Sequence, residues 1–279
     1  MTLLGVLNAG TGNWAFAALA TRLSQALWVP IVEEPAVLNY VLCWEGEPAQ
    51  LAGRSFIPLE AIEIASDKRA VARAFQLHGV PAPETRLLTA SEVPAFLRTR
   101  PGRWVLKFPT GSGALGHRFI DADTPLPRDW PQPCVIQEFI SMQEPVVYRL
   151  YAVDGELFGF NARRFPRDVT PSPWVAHARG ARYVHEGTPS AQALAVARRA
   201  LRACALADSF GCVDLLQRPG GEWLALEVGT DGIYNHVDRD LGCEVLEREI
   251  LERIAHAFWE RAGLTPPWEG PWRMQAAPA

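Results

Sequence analysis

Trp104-Val105-Leu106-Lys107-Phe108-Pro109-Thr110-Gly111-Ser112-Gly113-Ala114-Leu115-Gly116-His117 reads as a short apolar strand carrying one lysine, then a loop with three glycines and a serine. Glycines at this density let backbone N–H groups come close to an anion, because no Cβ stands in the way. A lysine just upstream adds a point charge suited to phosphate. The stretch is not a Walker A loop, since no Gly-Lys-Ser/Thr follows. It is not a dinucleotide fingerprint either, because the lysine and the glycine spacing are wrong. A mobile surface turn would have the same composition, so the rest of the chain has to decide.

At 279 residues the chain can bury a full core and suits one large domain or two to three small ones. A formal net charge of -4 gives no electrostatic footprint for nucleic acid. The five cysteines (Cys43, Cys134, Cys204, Cys212, Cys243) are scattered and form no CxxC pair. Neither disulfides nor a zinc site is therefore expected, and a cytoplasmic location is. No secretory signal and no membrane span are read. Ten tryptophans are read mostly as packing residues, with Trp268 and Trp272 marking a Pro-rich, loosely ordered tail.

Along the chain, residues 2–8 read as a buried strand, and Ala9-Gly10-Thr11-Gly12 as a turn into a helix through Leu27. Val29–Glu33 and Tyr40–Trp44 are further strands, giving a small parallel α/β unit. Ser66 is the expected N-cap of a helix whose apolar face is Val71, Ala74, Phe75 and Leu77, with Gly79 at C′. An α/β lobe follows: a strand at 86–88, a helix at 91–100 capped by Ser91, the lysine strand, the glycine loop, a strand at 117–120 and one at 134–140 ending Gln137-Glu138-Phe139-Ile140. That edge offers an adenine ring both hydrogen bonds and apolar faces.

Asp154-Gly155 marks a hairpin between Val146–Val153 and Glu156–Asn161. Arg149 alternates with apolar neighbours, so it points to one face; Arg163 and Arg164 follow the second strand, and residues 165–189 read as a loop. Ser190 caps a helix to about Leu206. A second hairpin joins Phe210–Leu216 to Glu222–Val228 through a turn at 218–221. With that loop Asp214 lies opposite Ala225, and Glu227 is its diagonal neighbour at about 7–8 Å. Acids are scarce in strands this apolar, because an unpaired buried carboxylate is costly, and two at this spacing suit a divalent cation and a polyphosphate. Leu246, Ile250, Ile254 and Phe258 line a last, packing helix in which Glu249 and Arg253 pair at i,i+4.

In this order the motifs over residues 66–230 resemble the ATP-grasp superfamily, in particular carboxylate–amine ligases similar to the ribosomal-protein glutamate ligase and its natural-product relatives. The resemblance implies an α/β (α+β) ATP-grasp fold. A short N-terminal parallel α/β domain (1–65) precedes a central lid lobe with its lead-in helix (66–140) and a C-terminal lobe (141–265), the two lobes sandwiching ATP; residues 266–279 form a tail. It implies that Lys68 and Lys107 contact the ATP phosphates and that the loop Gly111, Ser112, Gly113, Gly116 closes over them. Gln137, Glu138, Phe139 and Ile140 match the adenine hinge, with backbone groups of Glu138 and Ile140 offered to the base, and Glu144 lies where a ribose-binding acid is expected. Asp214 and Glu227 match ligands of Mg2+. Arg149 with Arg163 or Arg164 would hold the reacting carboxylate and its phosphorylated form.

The family usually places Glu-x-Asn at the end of the last hairpin; here Gly229 follows Glu227-Val228, so either Asn235 or Asp231 substitutes from the next loop or one magnesium is held more weakly. The family's Asn before a glycine near 176–180 is also absent, and His177 and Arg179-Gly180 stand there. The implied activity is amide or peptide bond formation between a small-molecule carboxylate and an amine, with ATP and Mg2+ as cofactors and a homodimer as the default assembly. Modification of a precursor peptide, or nucleotide binding with reduced activity, are the alternatives.

Overall fold

The computed structural model describes residues 3–111, 113–230 and 235–275, with Asn235 described by its backbone alone. Ser112 and Asp231, both named above, lie outside the described residues, as does the side chain of Asn235.

The chain opens with β1 (Leu4–Asn8), buried throughout, which leads through a 3-10 turn (Asn13–Phe16) into α1 (Ala17–Leu27). β2 (Ile31–Val32) and β3 (Leu38–Cys43) flank β1, both parallel to it, as the strand–helix alternation predicted. After Pro58 comes α2 (Leu59–Ser66), which the sequence reading missed, then α3 (Lys68–Leu77). Ser66 is therefore the last residue of α2, its hydroxyl donating back to the Glu63 carbonyl. Asp67 is the N-cap of α3 and accepts from the Arg69 amide at 2.8 Å. Val71, Ala74 and Phe75 are buried as expected, but Leu77 is exposed. α3 ends in a Schellman turn: Gly79 takes φ +58°, and the Val80 amide bonds back to the Phe75 carbonyl at 2.8 Å.

A four-stranded antiparallel sheet follows, built from β4 (Thr85–Leu88), β5 (Trp104–Lys107), β6 (Arg118–Ile120) and β7 (Cys134–Glu138) in the order β4-β7-β5-β6. Its helix, α4 (Val93–Arg98), has Glu92 rather than Ser91 at the N-cap. The period of two sorts the side chains of the sheet. Trp104, Leu106, Cys134 and Ile136 turn inward onto Val93, Leu97 and Trp130, whereas Val105, Lys107 and Gln137 face a cleft.

The opposite wall is a five-stranded antiparallel sheet, β10-β9-β8-β11-β12. β8 (Val146–Val153) and β9 (Glu156–Arg164) turn at Asp154-Gly155, both at positive φ as a type I′ hairpin requires. β9 runs three residues past its expected end and so contains Arg163 and Arg164. β10 (Arg182–His185) pairs with it inside the segment read as a loop. α5 (Ala191–Ala203), capped by the Ser190 hydroxyl, packs behind β11 (Phe210–Gln217) and β12 (Trp223–Gly229). The chain closes with α6 (Asn235–Leu241) and α7 (Val245–Arg261). No helix among the described residues is long and apolar enough to cross a membrane.

One apolar cluster runs through the N-terminal sheet, α3, the five-stranded sheet and α7, and a smaller one fills the sheet of β4–β7. The tail joins the larger cluster, contrary to the loose end read from its prolines. Trp272 is 3% exposed, and its indole donates to the Ala26 carbonyl at 3.0 Å. The Trp28 indole donates to the Arg273 carbonyl at 2.9 Å, and Trp268 packs against Trp28, Trp259 and His256. Apolar area of this size outweighs the local preference of Pro-rich sequence for solvent. Trp272→Ala is expected to cost about 3–5 kcal/mol in denaturant unfolding; a change under about 1 kcal/mol would show the tail to be an ornament on the core.

Candidate functional site

The two antiparallel sheets face each other across a cleft of about 580 Å³. Both lysines singled out in the sequence line it. Lys68 enters because α3 starts beside the glycine loop: its amide donates to the Pro109 carbonyl at 2.9 Å, and its ammonium donates to the Gly111 carbonyl. Lys107 enters because it alternates with Leu106 on β5. It is half-buried, and desolvation lowers its pKa from 10.5 to about 8, with Lys68 pushing the same way and Glu227 opposing.

Two glycines of the loop after β5 are required by its geometry. Gly113 (φ +58°) lines the cleft so tightly that a Cβ there would come within 3.2 Å of the Ala178 methyl. Gly116 (φ +74°) is glycine for a different reason: it seats the loop on the Phe108 side chain, where a Cβ would meet Phe108 Cβ at 2.9 Å. It does not line the cleft. His117, not singled out as a site residue, does. Burial first, then Lys107 and Lys68, push its pKa down to about 3, so its ring is neutral and adds no charge.

At the other end of the β5 wall, Gln137, Glu138, Phe139 and Ile140 form one edge of the cleft. Ile140 continues into an apolar patch with Leu216, Leu224, Met142 and Leu226, a surface suited to a planar ring. Of the Glu138 backbone groups, the amide donates to the Glu84 carbonyl at 2.8 Å, which leaves only its carbonyl to be offered to a base. The Glu138 carboxylate is gripped by Arg218 with two bonds of 2.9 and 2.7 Å, which hold its pKa below the usual carboxylate value and tie the two walls together. Arg218 was read only as a turn residue. Glu144 is exposed and does not line the cleft.

The floor is β8, β9, β11 and β12. A β-bulge after Asp214 overturns the expected register: Asp214 pairs directly with Glu227, and Leu215 with Ala225. Asp214 is 5% exposed and accepts a two-bond fork from Arg149, at 2.6 Å from Nε and 3.0 Å from Nη2, plus a bond from Arg163 Nη2. Burial raises its pKa, and the two guanidinium groups more than reverse this, so it stays ionised. Arg164, one residue on, falls on the other face of β9 and pairs with Glu186 at 2.6 Å. Of the two alternatives left open in the sequence, Arg163 is the one in the cleft.

Glu227 is 45% exposed, and its carboxylate lies 3.8 Å from the Lys68 ammonium. Among the described residues no group of three or more His, Cys, Asp or Glu could hold a metal ion. Two carboxylates side by side fit a magnesium ion whose shell is completed by waters and phosphate oxygens. Lys68, Lys107, Arg149 and Arg163 line the cleft against Asp214, Glu227 and Glu138, the last neutralised by Arg218, so the balance is positive, the right sign for a polyphosphate.

A segment that hydropathy left blank closes the mouth. Trp174 packs its ring against Phe119, Phe139 and His117 on the facing wall, at 4.8, 5.9 and 5.6 Å between centroids. The 3-10 turn His177–Arg179 sets His177 beside Tyr183, and Arg179 reaches the Ala114 carbonyl of the glycine loop at 3.4 Å.

No family model matches the sequence, and no curated protein matches it. Solved structures do. The D-alanine–D-alanine ligase from Bacillus anthracis superposes with a TM-score of 0.65 at 13% identity, over 94% of this chain and 97% of that one. The ATP-grasp ligase PsnB complexed with a minimal precursor gives 0.65 at 12% identity, over 94% and 100%. The D-cycloserine synthetase DcsG gives 0.61 at 16% identity, over 93% and 99%. The chain has the ATP-grasp fold.

Lys107 carries a built-in stability cost. Its folded pKa lies below the unfolded value, so the cost is fully present below pH 8, on the order of 3 kcal/mol, and fades as pH rises to 10.5. Lys107→Met is therefore expected to raise the unfolding midpoint by several degrees at pH 7, with the gain shrinking between pH 8 and 10.5. An unchanged or lowered midpoint at pH 7, measured by thermal melting across that range, would contradict the buried charge.

Proposed function

We propose that this chain is an ATP-dependent carboxylate–amine ligase that forms an amide or peptide bond and releases ADP and phosphate. One observation carries this: the cleft holds two lysines and a glycine loop at one station and two arginines, clamped on one buried carboxylate, at the next. The first station suits a triphosphate and the second a carboxylate, so a γ-phosphoryl group and its acceptor would lie side by side. The structural neighbours support the general class, since they are ligases, a synthetase and a macrocyclase, and include complexes with ATP and with Mg and ADP.

A carboxylate is a poor electrophile, and phosphorylating it makes an acyl phosphate with a good leaving group. Lys68 and Lys107 would neutralise the phosphoryl oxygens. Glu227, with Asp214 beside it, would hold magnesium together with phosphate oxygens; bound there, the ion supplies charge neutralisation for phosphoryl transfer. Arg149 and Arg163 would orient the carboxylate and steady the oxyanion that forms when the amine attacks. Trp174 and the glycine loop exclude water, which would otherwise hydrolyse the acyl phosphate. Gly229 leaves the family's third metal-ligand position without a side chain, so the metal shell would lean more heavily on the nucleotide.

ADP release from ATP and Mg2+ is expected to depend on adding both an acid and an amine, screened among the twenty amino acids and small carboxylic acids. Glu227→Gln is expected to raise the magnesium concentration for half-activity about tenfold or more and to leave the unfolding midpoint within about a degree, because that carboxylate is half-exposed. Release of AMP, or tight ATP binding with no turnover anywhere in the screen, would sink the ligase assignment.

A further inference from the structure

Beyond the arginines the cleft ends in a pair of histidines that the ligase chemistry above does not use. The Tyr183 ring joins the two groups: Arg163 and Arg149 sit over it at 5.5 and 5.9 Å, and His177 stacks on it at 6.5 Å. His177 and His236 both line the cleft, their rings edge to face at 4.5 Å and their Nδ1 atoms 3.3 Å apart. Arg239, on the same helix as His236, reaches both: its Nη2 is 3.0 Å from His177 Nε2 and 3.4 Å from His236 Nδ1. Asp240 Oδ2 lies 3.4 Å from His177 Nε2 and accepts the Tyr183 amide at 3.0 Å, while Oδ1 is 3.9 Å from Arg182 Nε.

A guanidinium can only donate. His236 Nδ1 faces Arg239 and His177, so it accepts. His177 Nε2 accepts from the same guanidinium, so the His177 proton is on Nδ1 and is given to His236 Nδ1. An imidazole that accepts at Nδ1 carries its proton at Nε2. His236 Nε2–H is therefore a donor held in place by a chain that runs from Arg239 through His177, and no described residue takes it up. Nε2 keeps this proton in the charged ring as well, so nothing here turns on titration. The acids nearby are committed. Asp240 is buried and does not line the cleft, and Asp214, which does, is held by Arg149 and Arg163. This end of the cleft thus offers a fixed N–H with positive charge behind it, a match for an anion.

We propose that His236 binds the α-carboxylate of the amine substrate, which is therefore a free amino acid. The inference rests on the ligase assignment and names its acceptor. The acid to be activated has its carboxylate at Arg149 and Arg163, beside the phosphoryl group, so the incoming amine has the far side of Tyr183 to occupy. A carboxylate on the carbon next to the nitrogen is the anion that would anchor the amine there and aim it at the acyl group. A lysine side chain within a peptide, or a simple alkylamine, has no such anchor. His236 touches the substrate; His177 acts through it and is a positioning residue.

The test compares amines that differ only in that carboxylate. The wild type is assayed with ATP, Mg2+ and the acids screened above, against the twenty amino acids, their carboxamides and the matching decarboxylated amines, with hydroxylamine as an acceptor that needs no anchor. ADP, amide and hydroxamate are measured. The best amino acid is expected to exceed its carboxamide about 10- to 100-fold in kcat/KM. His236→Leu is expected to shrink that preference to a few-fold, mainly through KM for the amino acid, while continued hydroxamate formation shows that the variant folds. His236→Gln keeps an N–H and is expected to keep most of the preference. His177→Phe keeps a ring on Tyr183 without the Nδ1 proton and is expected to lose part of it. Carboxamides or alkylamines that serve the wild type as well as amino acids do, a preference that survives His236→Leu, or equal loss of amide and hydroxamate in that variant would overturn the inference while leaving the ligase assignment standing. So would a wild type that makes hydroxamate but no amide. A wild type that releases no ADP even with hydroxylamine overturns the ligase assignment, and this inference with it.

Discussion

The structure turns on one buried carboxylate. Asp214 sits on β11, a strand with a neighbour on either side, and its two oxygens take three guanidinium bonds from Arg149 and Arg163. An unpaired charge at that depth would be untenable, and so would two unpaired guanidinium groups. Each partner is therefore acceptable only because the others are there. The trio also sets geometry. Arg149 lies directly across from Asp214 on β8, and Glu227 directly across on β12, so the register of three strands converges on one side chain. What the floor of the cleft offers a ligand is whatever bonding capacity that arrangement leaves unspent.

The facing wall follows a different logic. Lys107 is held in a site that disfavours its charge, and Lys68 is tethered to the loop through the Gly111 carbonyl. A polyphosphate would relieve both conditions, giving the buried ammonium a counter-charge and the tethered one a better acceptor. Stability given up at Lys107 would thereby be available to binding, a common trade at functional sites.

Much of this was legible in residues 66–230, because strands with one buried face declare themselves by alternation. Leu106 beside Lys107 and Ile136 beside Gln137 are enough to put a lysine and a glutamine on the same side of a sheet. The bulge after Asp214 was not legible: it inserts a residue without changing the pattern on either strand, so a diagonal pair became a direct one. Arg164 failed for a simpler reason. Had β9 been carried three residues further, the same alternation would have sent Arg163 and Arg164 to opposite faces. β10 hides in a stretch of Arg, Pro and Gly because only Tyr183 of its four residues is buried. Trp174 and Trp272 show where composition misleads, since one large ring finding a partner outweighs several prolines around it. The histidine pair joins residues 59 apart on a 3-10 turn and a short helix, and no local pattern announces that.

The closure across the cleft has a consequence of its own. Trp174 meets the opposite wall through one tilted and one edge-on ring contact, and Arg179 adds one long contact to a loop carbonyl. Such a seal has no covalent or deeply buried ionic member, so parting it breaks little, whereas the strands beneath are stitched by a full ladder. The chamber is thus a stiff dish under a soft cover. Local opening is therefore expected to concentrate in the cover rather than in the sheet beneath it.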